Sequence, residues 1–186
     1  MKRLWIVVGI VCVAGVGVAV ARGIGSDSRQ SASDRSGSMP PKGIGSEKRT
    51  AISDFRVTTL DGRSIQLSAL KGKVVVVDFW ATWCPPCIEE LPHFKQLYAQ
   101  YKDKGLEMIG IALDEEGSGV VSAFVKEHGV TYPVAMGSPD LIQNFGGILG
   151  IPTTFIIDKN GMITHKLIGY QEQQAFEQEI QRLLSE

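Results

Sequence analysis

Val77-Asp78-Phe79-Trp80-Ala81-Thr82-Trp83-Cys84-Pro85-Pro86-Cys87 is the stretch whose reading decides the fold. It continues Val74-Val75-Val76, and Lys73 to Trp80 together make a run rich in β-branched residues, typical of a strand buried on both faces. Apolar residues then recur at helical spacing (Ile88, Leu91, Leu97, Tyr101), which predicts a helix over 85–104 stopped by Gly105. Pro85 suits the first helical position, where no N–H is needed. The two cysteines thus sit where a buried strand feeds a helix.

Outward from this segment, Asp54 to Leu67 reads as a β-hairpin around Asp61-Gly62. Leu106 to Leu113 is a second buried strand, and Val120 to His128 a helix closed by Gly129. Tyr132 to Ala135 is a short strand and Asp140 to Phe145 a short helix. Thr153 to Asp158 and Met162 to Ile168 flank Asn160-Gly161, the signature of a hairpin with a primed turn. Gln171 to Leu184 closes the chain as a helix. This order predicts an α/β domain, a mixed sheet flanked by helices, over residues 51–186.

The remainder divides in two. Lys2 and Arg3 precede an uncharged apolar run, Leu4 to Ala21, closed by Arg22. Residues 1–22 read as an N-terminal membrane anchor or, with Ala19-Val20-Ala21 as a cleavage site, as a signal peptide. Either reading sends the domain across the cytoplasmic membrane, because the basic residues favour the inner side. Cys12 reads as an apolar residue of that span. Residues 23–50, rich in Gly and Ser, read as a flexible linker. Eight Lys/Arg and three Asp/Glu precede Ala51, against 11 and 17 from Ala51 onward, so an acidic domain follows a basic leader. The overall net charge of -1 gives no sign of nucleic-acid binding.

Cys84 and Cys87 carry the chemistry. The free N–H groups and dipole of a helix N-terminus stabilise an anion, so Cys84 is expected to react as a thiolate. Cys87, one turn on, can resolve a mixed disulfide at Cys84. Pro86 removes a further donor from that helix end. A structural bridge over two residues closes almost no loop. Zinc would need four ligands, and no second cysteine pair exists. Nothing in the motifs calls for a cofactor.

The quoted stretch resembles the active-site segment of the thioredoxin superfamily. Residues 50–186 are similar to its membrane-tethered TlpA/ResA-like branch. The marks are the leading hairpin, Cys87-Ile88-Glu89-Glu90-Leu91-Pro92, the extra segment Gly129 to Gly147, and Gly150-Ile151-Pro152-Thr153-Thr154-Phe155. The resemblance implies a thioredoxin fold with an N-terminal β-hairpin and a central insertion. It further implies an extracytoplasmic enzyme that exchanges disulfides with protein thiols, reduces its partners, and draws on a membrane electron donor. Some members reduce apocytochrome c; that branch often carries Glu after the proline, where this chain has Thr153.

It also assigns roles. Asp78 matches a buried carboxyl that relays protons to the resolving thiol, against the plainer reading of a strand-end Asp in water. Glu90 matches an acid/base carboxylate, against a solvated first-turn Glu such as Glu89. The Ile151–Pro152 bond is expected to be cis, beside the cysteines. Trp83, Pro85, Pro86, Ile151 and Pro152 make up the expected substrate face, with Trp80 also shielding the site. His93, His128 and His165 read as surface residues. Two other functions fit less well. A thiol peroxidase of the peroxiredoxin kind places Thr three residues before its cysteine, where this chain has Ala81. A non-redox binding protein or holdase would keep its activity without either cysteine.

Overall fold

The computed structural model describes residues 48–186. The expected leader, Cys12 and nearly all of the linker lie outside them. Eight strands are present: β1 (Thr50–Ala51), β2 (Arg56–Thr58), β3 (Ser64–Gln66), β4 (Val74–Trp80), β5 (Leu106–Ala112), β6 (Val134–Met136), β7 (Thr153–Ile157) and β8 (Met162–Ile168). The helices are α1 (Pro85–Tyr101), α2 (Ser118–Glu127), α3 (Pro139–Asn144) and α4 (Gln173–Ser185). Six strands form one sheet in the order β1-β8-β7-β4-β5-β6, while β2 and β3 pair as a separate hairpin. β4 runs parallel to β5 and antiparallel to β7, so the mixed sheet read from the sequence is present.

Every residue of β4 is buried, as its unbroken apolar run predicts. Alternation sends Val75, Val77 and Phe79 to one face, against Phe55 and Val57 of the hairpin, Leu141 of α3 and Phe145. Val74, Val76 and Trp80 face Leu91, Phe94 and Leu97 of α1 and Phe176 and Ile180 of α4. Asp78 shares the parity of this second set, and so points at the helical side.

Several details differ from the sequence reading. α1 ends at Tyr101, and Lys102–Lys104 form a 3₁₀ turn before Gly105 turns the chain at φ 102°. Loss of α-helical bonding in a last turn is common. The turn between β7 and β8 is not a two-residue primed turn. Asp158 N–H donates to Met162 O and Gly161 N–H to Asp158 O, enclosing the three-residue loop Lys159-Asn160-Gly161. The Asp158 carboxylate selects it by accepting from the N–H groups of Asn160 and Met162. His165 is fully buried, not at the surface. It sits on β8 beneath α4, where its Nδ1 lies 3.1 Å from both Glu179 Oε1 and Thr164 Oγ1. β1, unread in the sequence, pairs with β8. Two residues joined to an edge carry no periodicity to detect.

Candidate active site

Cys84 is the N-cap of α1 and is bonded to Cys87 through a 2.04 Å disulfide. Its Sγ also accepts from Cys87 N–H at 3.4 Å. Pro85 and Pro86 have no N–H, so Cys87 supplies the first donor that the helix offers a thiolate. Both cysteines are buried, while Trp83 beside them is 62% exposed. Trp80 is instead a core residue packed on Phe124, and does not shield the site from outside.

Asp78 lies at the centre of the sheet, in register between Gly110 on β5 and Thr154 on β7. Its Oδ1 accepts from the Thr154 hydroxyl at 3.1 Å. Burial pushes its carboxyl up to about 7, against a small opposing pull from that bond. The alternative of a strand-end Asp in water is thereby set aside. Glu90, on the inner face of α1, is also buried. Its Oε1 accepts from Gln171 N–H at 2.6 Å, while Oε2 is buried without a partner. Burial raises it to about 8, Gln171 N–H opposes that, and the charge of Asp78 adds to the rise. The charge of Asp78 thus links the protonation of Glu90 to its own. Glu89 is exposed, as a solvated Glu, but it lies beyond the first turn of α1, which begins at Pro85.

The proline loop lies at the same end of the sheet. Phe79 pairs with Thr153, so the next step of the ladder sets Pro152 opposite Trp80, where β4 leads into the cysteine loop. The Ile151–Pro152 bond is cis. Pro152 is buried with its carbonyl taken by Gly169 N–H at 2.8 Å, and Thr153 Oγ1 donates to Gly150 O at 2.6 Å. Ile151 is half-buried and packs on the cluster holding both cysteines. Pro85 is exposed and Pro86 half-buried. Leu149, unread in the sequence, is 92% exposed just before the loop.

Sequence reasoning also missed Asp114. This buried carboxylate follows β5 and accepts from the backbone N–H and the hydroxyl of Thr82, fixing the turn two residues before Cys84. Its signal was a lone acid directly after an apolar strand. Gln171 was missed for a different reason: it acts through its backbone, which no side-chain pattern marks.

The chain that builds this strand-fed CxxC, with two buried carboxyls behind it, shares ground with known proteins. Residues 49–166 match the AhpC/TSA family. The thiol-disulfide oxidoreductase ResA of Bacillus thuringiensis is 41% identical over 124 residues, 67% of this chain and 71% of that protein. The chain belongs to this family and is a ResA-like thiol–disulfide oxidoreductase. The fold agrees. The oxidoreductase matches a thioredoxin-family thiol:disulfide interchange protein from Chlorobium tepidum with TM-score 0.69 and 36% identity, covering 74% of this chain and 98% of that one. StoA from Bacillus subtilis matches with TM-score 0.62 and 27% identity, over 74% and 99% of the two chains. The thioredoxin-like architecture expected from the sequence is thus the architecture of the oxidoreductase.

Proposed function

We propose that the protein is an extracytoplasmic reductant of protein disulfides, with Cys84 as nucleophile, Cys87 as resolving thiol, and Asp78 and Glu90 as its proton acceptors. In the reduced form, the Cys84 thiolate attacks a substrate disulfide. An S–S bond forms to the substrate, and one substrate sulfur leaves as a thiolate and takes up a proton. Cys87 gives its proton to the carboxylate pair and attacks Cys84 Sγ. The second substrate sulfur leaves, and the pair returns that proton to it. Two electrons pass to the substrate, which gains one proton from Cys87 and one from water, and the enzyme is left as the Cys84–Cys87 disulfide. A dithiol donor in the membrane would restore it.

The observation that carries this reading is the pair of buried carboxyls poised near neutrality, Asp78 on the helix-facing side of β4 and Glu90 three residues after Cys87 on α1. A base with a value near the working pH is what deprotonation of a buried thiol requires. Trp83, Pro85, Pro86, Ile151 and Pro152 serve as the substrate face, and an extended segment pairing along the Ile151 backbone would be held by strand addition. The basic, apolar leader supports tethering, or secretion, on the outer side of the membrane. The dithiol motif of apocytochrome c is one candidate substrate.

The test is to replace Cys87 with Ser, express the full chain, and identify proteins left disulfide-linked to Cys84. Equilibration of the wild-type pair with a glutathione buffer gives direction. Trapped extracytoplasmic dithiol proteins and a strongly reducing potential are expected. No trapped protein, together with a potential in the oxidising range, would overturn the reading. Sustained peroxide consumption would place the chain with the thiol peroxidases instead.

A further inference from the structure

Gly110 is the ladder partner of Asp78 on a parallel strand, so a side chain at 110 would project on the same face as the Asp78 carboxyl. Side chains of Trp80, Tyr132 and Val134 use that space. A Cβ on Gly110 would stand 2.9 Å from Trp80 Nε1 and 3.1 Å from Tyr132 Cε2. Cε2 neighbours the ring carbon that bears the hydroxyl. The ring edge of Tyr132 therefore takes up part of the space, on the Asp78 face of the sheet, that a side chain at 110 would fill.

Phe94 and Tyr98 of α1 hold this ring by edge contacts, with centroids 6.4 and 6.3 Å away. The hydroxyl itself is buried and meets no protein partner. Trp80 Nε1 and Glu90 Oε2 share that condition. Two donors and one oxygen of the carboxyl pair itself thus stand unpaired, whereas buried polar groups are ordinarily paired, directly or through an ordered water. Asp78 and Glu90 are the charges that act on the Tyr132 phenol, which burial first and then these two push well above its ordinary value. It stays protonated, and is a donor throughout the working range. The other ionisable groups packed around the ring are Tyr98, whose hydroxyl lies 3.5 Å from Glu107, and the Asp61–Arg63 pair on the outer rim of the groove. No cation lies among the groups acting on the phenol.

We propose that the Tyr132 hydroxyl is a positioning residue of the redox site: it donates a hydrogen bond, through one water, to the Asp78–Glu90 pair when the pair is negatively charged. It thereby sets the pH at which the pair accepts the Cys87 proton. The catalytic part of this rests on the proton-acceptor role proposed above for the two carboxyls.

Tyr132→Phe removes the hydroxyl and keeps the ring. Carboxyl carbon titration by NMR, on oxidised protein with labelled Asp and Glu, reads the pair without turnover. The Asp78 and Glu90 midpoints are expected to rise by about one pH unit, a tenfold loss of carboxylate at a given pH. The pH–rate profile of the resolving step is expected to move with them. Should Tyr132→Phe fold poorly, 3-fluorotyrosine keeps the fold and sharpens the donor, and the midpoints are expected to fall. Midpoints that stay put in either protein would overturn the tyrosine assignment, including the case where Asp78→Asn and Glu90→Gln still shift the rate profile. Midpoints that move while those two variants leave the rate profile unchanged would instead sink the relay, and with it the catalytic part of this proposal.

Discussion

Asp78 and Glu90 near the disulfide, and Glu179 and Asp158 on the side of β8 and α4, are all carboxylates shut away from water, yet only the second two are given cations. Glu179 is held by both nitrogens of a forked Arg182 contact, at 2.6 and 2.9 Å, and by His165 at 3.1 Å. Asp158 meets Arg49 at 3.3 Å and two backbone N–H groups. Asp78 receives one hydroxyl and Glu90 one amide, and among the described residues neither meets a cation. Burial without compensation leaves a carboxyl protonated into the neutral range, and a carboxyl in that state can take or give a proton. Where only a fixed contact is wanted, a cation stands beside the carboxylate. The difference between the two regions, not burial as such, marks the redox site.

The comparison breaks first at the site itself. Asp78→Asn and Glu90→Gln are each expected to slow resolution of the mixed disulfide by about 10²–10⁴-fold. Single-turnover rates measured across pH check this, and with Asp78 gone the Glu90 midpoint should also fall, because its neighbouring charge is removed. Stability should move the other way. In the unfolded chain Asp78 ionises near 3.8, but in the folded domain only near 7, so the folded state holds the extra proton between those values. Folding free energy is therefore lost as pH rises across that window. Asp78→Asn should gain at most about 4 kcal/mol at pH 8 and nothing below pH 3, as read from urea melts.

Removing a compensated acid should do the reverse. Glu179→Ala removes the buried carboxylate that Arg182 and His165 share and costs about 3 kcal/mol in the same melts, while the pH–rate profile stays where it was. A profile that moved would deny the division between the two regions. Asp114→Ala lies between these cases, since it releases the Thr82 amide and hydroxyl; a loss of about 1–2 kcal/mol is expected, together with faster amide exchange confined to residues 81–84. The smallest effect is expected from Thr154→Val. It deletes the one hydrogen bond to Asp78 and should raise that carboxyl by less than about one pH unit, visible in the carboxyl titration.

Most of the domain was legible because its elements are driven by local pattern. The four-valine run gave β4, and the helical spacing after Cys84 gave α1 from its first residue. Asn160-Gly161 marked a turn, although the turn type depended on Asp158, a residue read only as the end of a strand. What stayed hidden depends on pairing across the chain. His165 looks like any strand-edge histidine until α4 sets Glu179 against it, 14 residues further on. Asp78 and Glu90 were each visible as chemical candidates, but their coupling was not, because it arises from α1 lying over β4. Gly110 and Tyr132 carry no motif at all. Their meaning appears only when β5 brings a missing side chain beside Asp78.

The tryptophans on either side of that strand–helix junction have an optical consequence. Trp83 stands in solvent next to Cys84, and Trp80 lies in the core three residues earlier. A disulfide accepts an electron from an excited indole at short range, and a dithiol does so far less well. Emission should therefore brighten when the pair is reduced. The exposed Trp83 should emit further to the red than the enclosed Trp80, so substrate docking on the outer ring and electron transfer at the sulfurs should change different parts of one spectrum. The redox state of the enzyme can then be followed in real time without any attached dye.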